Sequence, residues 1–267
     1  MIPPQISLGP VKIHFYGALI AIAILVGWYL AKKRAHFYKQ SLRSSTSSAG
    51  LKIPQKIFDD PVLLFPLIFS LIGARLYHVV DYWDIYGKNL ISILYVFNGG
   101  LGIWGGIVGA IIGFFVVAKI RKIDFATILD LASPSMLLGQ AIGRIGNYIN
   151  QEGFGPPTNL PWGVYIFPDR RPNQFLNFSN FHPTFFYEAV LNFIFFVFLL
   201  YLTKKFKSPG QIFSSYLIFY SVTRFVVEFW RIDTWVASGI KVAHLVSLIT
   251  FVFGSILLLI LSRKQRV

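Results

Sequence analysis

Tyr220, Arg224, Glu228 and Arg231 are spaced by four, four and three residues, so on a helix they form one stripe rising about 16 Å in total. A guanidinium presents a planar fork of donors that matches a phosphate or carboxylate. Glu228 can pair with Arg224 or with Arg231 on such a helix, which leaves one guanidinium for a phosphate; a purely structural ladder is the competing reading. A denser polar run spans Gly143 to Gly155 and holds Arg144, Asn147, Asn150, Gln151 and Glu152 among four glycines. There glycine permits close backbone approach, and Arg144 and Asn147, three residues apart, share one helix face. That combination suits an anionic head group. A third run, His182 to Glu188, carries Pro183 where a first helical turn favours proline, so it reads either as a helix start or as part of a site.

These groups sit in the wrong solvent for charge. Arg75, Arg144, Glu188, Arg224 and Glu228 fall within or at the ends of apolar runs, where an ionised side chain costs at least about 2.5 to 3.5 kcal/mol. Taken together they are expected to face an internal cavity, although any one of them could snorkel or form a structural ion pair. His14, His36, His78 and His244 show no metal-ligand spacing, and neither a P-loop nor a serine elbow is present. The expectation is no metal, no nucleotide and no cofactor. The chain has no cysteine, which excludes a thiol nucleophile of its own, so any thiol chemistry must come from a substrate.

The elements that position these residues follow from composition. The chain has 267 residues, 55% of them hydrophobic and only 13% charged, with a mean hydropathy of +0.60. Soluble domains carry about 25% charged residues. Continuous rather than alternating apolar runs select helices over a closed barrel. The sequence therefore predicts an all-α polytopic membrane protein, one transmembrane domain over 1–267 with seven spans near 14–31, 61–80, 99–118, 125–146, 184–203, 211–230 and 241–261. The first run lacks the flanks of a cleaved signal and reads as a retained span. Sixteen of the twenty-five Lys and Arg residues fall in 32–56, 119–122, 204–207 and 263–266, all on one side of that arrangement. By the positive-inside rule that side is cytoplasmic, with the amino terminus outside and the carboxyl terminus inside. The net charge of +14 is then accounted for by orientation and anionic lipid rather than by nucleic acid.

Ser41 to Gly50 is rich in serine and reads as a cytoplasmic loop. The stretch 151–183 has six prolines among Trp162, Tyr165 and Phe167 and is expected to fold as a small external cap between spans four and five. No internal repeat is present. In the third span, Gly105, Gly109 and Gly113 recur at the four-residue spacing that lets helices approach closely. Close helix packing is one reading, and room for a lipid or peptide beside Trp104 is the other.

The run Gly143-Arg-Ile-Gly-Asn-Tyr-Ile-Asn-Gln-Glu152 closely resembles the signature of bacterial phosphatidylglycerol-prolipoprotein diacylglyceryl transferases. His182-Pro-Thr-Phe-Phe-Tyr-Glu188, the Tyr220 to Asp233 segment, Gly73-Ala-Arg-Leu76 and Gly99-Gly-Leu-Gly-Ile-Trp-Gly-Gly106 are also similar to motifs of that family, in the same order. The resemblance runs from about Tyr16 to Ser247 and implies seven transmembrane helices with an external cap in the bacterial inner membrane. It also implies the reaction: a diacylglyceryl group passes from phosphatidylglycerol to the lipobox cysteine of a prolipoprotein signal peptide, forming a thioether and releasing glycerol phosphate. By position, Arg144 and Arg224 match the essential arginines, and Asn147, Glu152 and Gly155 match signature residues. Tyr16 and Tyr220 match the important tyrosines, and Glu228 and Arg231 the ion-pairing positions. Asn150 and His182 lie within the matched motifs and are taken as substrate-binding with Trp104. Many family members have histidine where this chain has Trp104, and an indole cannot accept a proton.

The chemistry implied is attack on a glyceryl carbon with negative charge growing on the leaving phosphate, so cations aimed there favour the transition state. Arg144 and Arg224 are the candidates for that role, and Glu152 is a candidate base. A transporter with a charged cavity would more often show inverted repeats with broken helices. A silent relative would be expected to have lost Arg144 or Asn147.

Overall fold

The computed structural model describes residues 5–8, 11–43, 60–96, 99–206 and 208–263, with residues 5–8, 11–14, 16 and 35–43 described by their backbone alone. Residues 44–50 of the serine-rich loop lie outside the described residues. A short antiparallel hairpin, β1 (Gln5–Leu8) and β2 (Val11–His14), precedes α1 (Phe15–Arg43). The remaining helices are α2 (Phe65–Asp81), the single-turn α3 (Trp83–Tyr86), α4 (Ile103–Arg121), α5 (Phe125–Asn150), α6 (Thr184–Leu202), α7 (Gln211–Glu228) and α8 (Val242–Arg263). Two further hairpins are β3 (Val164–Tyr165) with β4 (Asn180–Phe181), and β5 (Val236–Ala237) with β6 (Ile240–Lys241).

The architecture is all-α, and each of the seven long helices overlaps one expected span. Among the described residues, five helices are long and apolar enough to cross a membrane: those within Pro61–Asp81, Ile103–Arg121, Phe125–Asn150, Thr184–Leu202 and Val242–Arg263. Helix α7 is not in that set because it carries Arg224, Glu228 and several hydroxyl side chains. The chain divides into two compact units, Ala49–Leu129 on the one hand and Met1–Ser48 with Asp130–Val267 on the other.

In the unit 49–129, α2 and α4 pack backbone to backbone. A Cβ placed on Gly105 would run into the carbonyl of Gly73, and one on Gly109 into the carbonyl of Phe69. The glycine stripe therefore serves close helix approach, and the faces of Gly105, Gly109 and Gly113 are filled by α2 rather than open beside Trp104. Arg75 is buried on α2 without a carboxylate partner among the described residues. Its guanidinium instead donates to the backbone carbonyls of Ser92, Ile93, Gly99 and Gly100 at 2.7 to 3.0 Å and lies over the Tyr86 ring. Such carbonyls would otherwise be unpaired at membrane depth, so one side chain satisfies the backbone of Ser92, Ile93, Gly99 and Gly100. At the start of the same span, Asp60 caps the first turn through the Val62 N–H at 3.0 Å and pairs with Arg121.

In the other unit, α5, α6, α7 and α8 carry the polar groups. Gln151 to Pro183 folds as a compact insertion between α5 and α6, built on Phe154, Ile166, Phe181 and Phe185. Strand Val164–Tyr165 pairs with Asn180–Phe181 across it. The Gln151 side chain bridges the Tyr165 carbonyl at 3.1 Å and the Phe167 N–H at 2.7 Å, while Arg171 donates to the carbonyls of Ile166 and Leu176. Prolines limit the conformations of this segment, and these two side chains satisfy backbone that no regular element would.

Candidate functional site

The site is assembled where the carboxyl end of α5, the start of α6 and the second half of α7 meet. Glu188 lies four residues into α6 with its side chain 1% exposed. Its Oε1 accepts from Arg144 Nη2 of α5 at 2.5 Å, and its Oε2 accepts from Arg224 Nη1 of α7 at 3.3 Å. The remaining fork of Arg224 donates through Nη2 to Glu228 Oε2 at 2.6 Å, one turn along α7. Arg144 also donates through Nη1 to Asn147 Oδ1 at 3.1 Å. One buried carboxylate thus orients two guanidiniums from two different helices, and at membrane depth a charge is tolerated only when matched in this way.

Arg231 departs from the expected stripe. Helix α7 ends at Glu228, so Arg231 lies beyond it, where its Nε and Nη2 form a fork–fork pair with the Asp233 carboxylate at 3.1 and 2.9 Å. Its Nη1 remains 4.0 Å from Glu188 Oε2. Burial works against the charge of Arg231, but the Asp233 hydrogen bonds and the nearby Glu188 and Glu228 outweigh it and hold its pKa above the ordinary arginine value. It is a permanent cation. Glu228 pairs with Arg224 and not with Arg231.

The polar run after α5 closes one edge. Asn147 and Asn150 donate to the same oxygen of Glu152, Oε1, at 3.0 and 3.3 Å. Gly153 has a φ of +69°, and its carbonyl accepts from Thr184 Oγ1 at 2.5 Å. A Cβ on Gly155 would lie 2.5 Å from the Trp230 carbonyl and 2.9 Å from His182 Cβ, so only glycine lets this strand pass between α6 and the end of α7. His182 is drawn in twice: its carbonyl accepts from Gly155 N–H at 2.8 Å, and its Nδ1 lies 3.1 Å from Tyr187 OH, which accepts from Trp162 Nε1–H at 2.9 Å. Inward from Arg224, Tyr220 stacks on Tyr216 with ring centroids 6.1 Å apart, and Tyr216 OH accepts from Gln140 Nε2 at 2.9 Å.

Arg144, Asn147, Asn150, Glu152, Gly155, Tyr220, Arg224, Glu228, Arg231 and His182 all belong to this one unit. Trp104 belongs to the other, at the start of α4 with 49% exposure. Tyr16 lies in the first turn of α1, and its side chain is outside the described residues. Two partners in this cluster, Glu188 and Asp233, are not among the candidate site residues read from the sequence. Glu188 carried a signal, being the one carboxylate in a 19-residue apolar helix. Asp233, the partner of Arg231, carried none beyond its place in the matched segment. Among the described residues, no group of three His, Asp or Glu side chains is placed to hold a metal ion.

Arginine forks paired with buried carboxylates among apolar helices are suited to an anionic group. The family model described as prolipoprotein diacylglyceryl transferase matches residues 3–260. The chain belongs to the prolipoprotein diacylglyceryl transferase family. Curated relatives named phosphatidylglycerol–prolipoprotein diacylglyceryl transferase include one from Finegoldia magna, 37% identical with 94% of this chain and 92% of the relative covered. Others come from Thermosynechococcus vestitus, 34% identical over 94% of this chain and 89% of the relative, and from Clostridium novyi, 34% identical over 97% and 95%. Family membership and the apolar helices together make this transferase a multi-pass membrane protein.

Proposed function

We propose that this chain transfers the diacylglyceryl group of phosphatidylglycerol to the lipobox cysteine thiol of a prolipoprotein, forming a thioether and releasing glycerol phosphate. The observation that carries the reading is the shared carboxylate of Glu188, which aims Arg144 and Arg224 from separate helices at one place in a chain of this family. The cysteine sulfur attacks the glyceryl carbon and the bond from that carbon to the phosphate oxygen breaks, so a phosphodiester becomes a phosphomonoester with additional negative charge. Cations already oriented there stabilise the charge as it develops and need little reorganisation. Arg144 and Arg224 take the phosphate, with Arg231 as the outer cation.

The thiol proton goes to Glu152. Its carboxylate is fixed by Asn147 and Asn150 through one oxygen, which leaves the other to face the proton, and the acid so formed returns it to the leaving phosphate. Tyr16 is the fourth catalytic candidate beside Arg144, Arg224 and Glu152, while Tyr220, His182, Asn150 and Trp104 contribute to holding the lipid and peptide. Trp104 acts by shape and by its N–H, since an indole accepts no proton. Gly155 admits the segment that closes the head-group side.

The basic segments on one side of the spans support an orientation in the bacterial inner membrane with the amino terminus and the 151–183 cap outside and the carboxyl terminus cytoplasmic. That places the site toward the outer leaflet, where a secreted prolipoprotein presents its cysteine. Complementation tests the reading: expression of this chain in a bacterium depleted of its own transferase is expected to restore lipoprotein lipidation. Well-expressed, membrane-inserted protein that leaves prolipoprotein unmodified overturns it.

A further inference from the structure

Helix α7, which carries Tyr220, Arg224 and Glu228, is held by a charged side chain at each end. At its start the carboxylate of Asp130, from α5, accepts from Gly210 N–H and Phe213 N–H, both at 2.7 Å. At its end the ammonium of Lys241 donates to the backbone carbonyls of Glu228 at 2.6 Å and Arg231 at 2.9 Å. The last carbonyls of a helix lack intrahelical donors, and the helix dipole is negative there, so a cation satisfies both needs at once. An anion at the start does the converse.

Lys241 reaches that position through a built element. It is the last residue of the β5–β6 hairpin, paired with Val236, and the next residue donates from Val242 N–H to the Trp235 carbonyl at 2.9 Å. Among the described residues no carboxylate forms an ion pair with Lys241, because Glu188, Glu228 and Asp233 are all engaged by arginines. The two carbonyls it ties are those of the residues whose side chains enter the charge cluster. Glu228 fixes one fork of Arg224 at 2.6 Å, and Arg231 faces Glu188. If the final turn of α7 frays, the Glu228 carboxylate moves and Arg224 loses its direction.

We infer that Lys241 is a positioning residue of the transfer site: its ammonium clamps the carbonyls of Glu228 and Arg231 and so holds Arg224 in the orientation that receives the phosphate. The inference rests on the transferase reading above for its activity readout and on the clamp geometry alone for its structural one.

Two substitutions separate the clamp from general packing. Lys241→Met keeps the stem and removes every donor, while Lys241→Arg keeps the charge and can reach two carbonyls. Steady-state transfer from phosphatidylglycerol to a lipobox peptide and amide hydrogen exchange of Phe229, Trp230 and Arg231 without substrate are measured on the full chain. Lys241→Met is expected to lower kcat about 10-fold with KM for phosphatidylglycerol changed less than about threefold, as when a group is misplaced by a fraction of an ångström. Exchange at the three amides is expected to rise about 10-fold, while Ser214 and Ser215, at the Asp130 end, do not change. Lys241→Arg is expected to restore both readouts to within about threefold of the wild type. The inference is overturned by a Lys241→Met protein with wild-type kcat, by unchanged exchange at the three amides, or by a folded Lys241→Arg protein as impaired as Lys241→Met. Should Lys241→Met not fold, a folded and active Lys241→Arg supports the clamp and a folded, inactive one refutes it. A wild type that transfers nothing counts against the transferase reading, and the exchange result still decides the clamp.

Discussion

Glu188 and Arg224 meet across α6 and α7 with Oε2 and Nη1 3.3 Å apart, and the same carboxylate holds Arg144 through its other oxygen. A single anion thereby sets the angle between two cations on different helices. Removing it leaves two guanidiniums facing each other in a medium of low dielectric, and breaking a buried pair from one side costs about 3 to 5 kcal/mol. Glu188→Ala is expected to lower stability by that amount in chemical or thermal unfolding. Glu188→Gln keeps the volume and is expected to lower kcat/KM about 100-fold, as one oriented charge site is lost. A Glu188→Gln protein with ordinary kinetics would contradict the shared-carboxylate account.

Arg144 uses two different nitrogens on two partners, Asn147 and Glu188. Arg144→Ala is expected to reduce transfer by about 100- to 1000-fold in folded protein. Arg144→Lys is expected to recover little of it, because an ammonium cannot reproduce a fork spanning both directions. Kinetics on purified variants check both; near-complete activity of the lysine form sinks the fork argument.

Gly155 is limited by backbone on one side, the Trp230 carbonyl, and by the His182 and Thr184 side chains on the other. Gly155→Ala is expected to cost about 1 to 3 kcal/mol through overpacking and to displace the polar run that orients Glu152. Unfolding curves and transfer rates should fall together. Unaltered stability would show that the Trp230 carbonyl and the His182 side chain do not confine this position.

How much of this was legible in the sequence differs by kind of contact. Charges inside apolar runs pointed to Arg75, Arg144, Glu188, Arg224 and Glu228 at once, since hydrocarbon makes each of them expensive. Continuous apolar runs and their length located all seven long helices. The pairing of those charges was not legible: Glu188 meets partners 44 and 36 residues away, and helix rotation, which sets such meetings, is fixed by packing. The stripe ending in Arg231 failed because the helix stops at Glu228, and end positions depend on capping more than on composition. Lys241 and Arg75 act on backbone carbonyls, which have no side-chain signature to read. Proline and aromatic content announced a folded 151–183 segment, while its two-residue strands are too short for a period.

Asp60 offers a pH test. The Arg121 guanidinium bonded to it, helped by the Val62 N–H, holds its carboxyl below the usual carboxylate range. A depressed folded-state pKa contributes stability above the unfolded value of about 3.9 and loses it as pH falls through the lower folded value. Asp60→Asn should therefore flatten the acid limb of a Tm-against-pH curve without changing its neutral shape. An acid limb identical to that of the wild type would show the pair to be without effect.

Trp104 separates shape from proton transfer. Trp104→Phe is expected to keep most of the activity. Trp104→His is expected to give no gain of about 100-fold, the increase a missing general base would restore. A weak wild type made strongly active by Trp104→His would place the base at this position and remove Glu152 from that role.

Transfer is measured with purified protein in phosphatidylglycerol nanodiscs and a synthetic lipobox peptide. The peptide mass is followed together with release of glycerol phosphate. The expected result is a diacylglyceryl mass gain on the cysteine with glycerol phosphate released in equal amount, and neither with Arg224→Ala in the same discs. Peptide left unmodified by folded wild type, under conditions in which the Finegoldia magna relative modifies it, would rule out diacylglyceryl transfer by this chain.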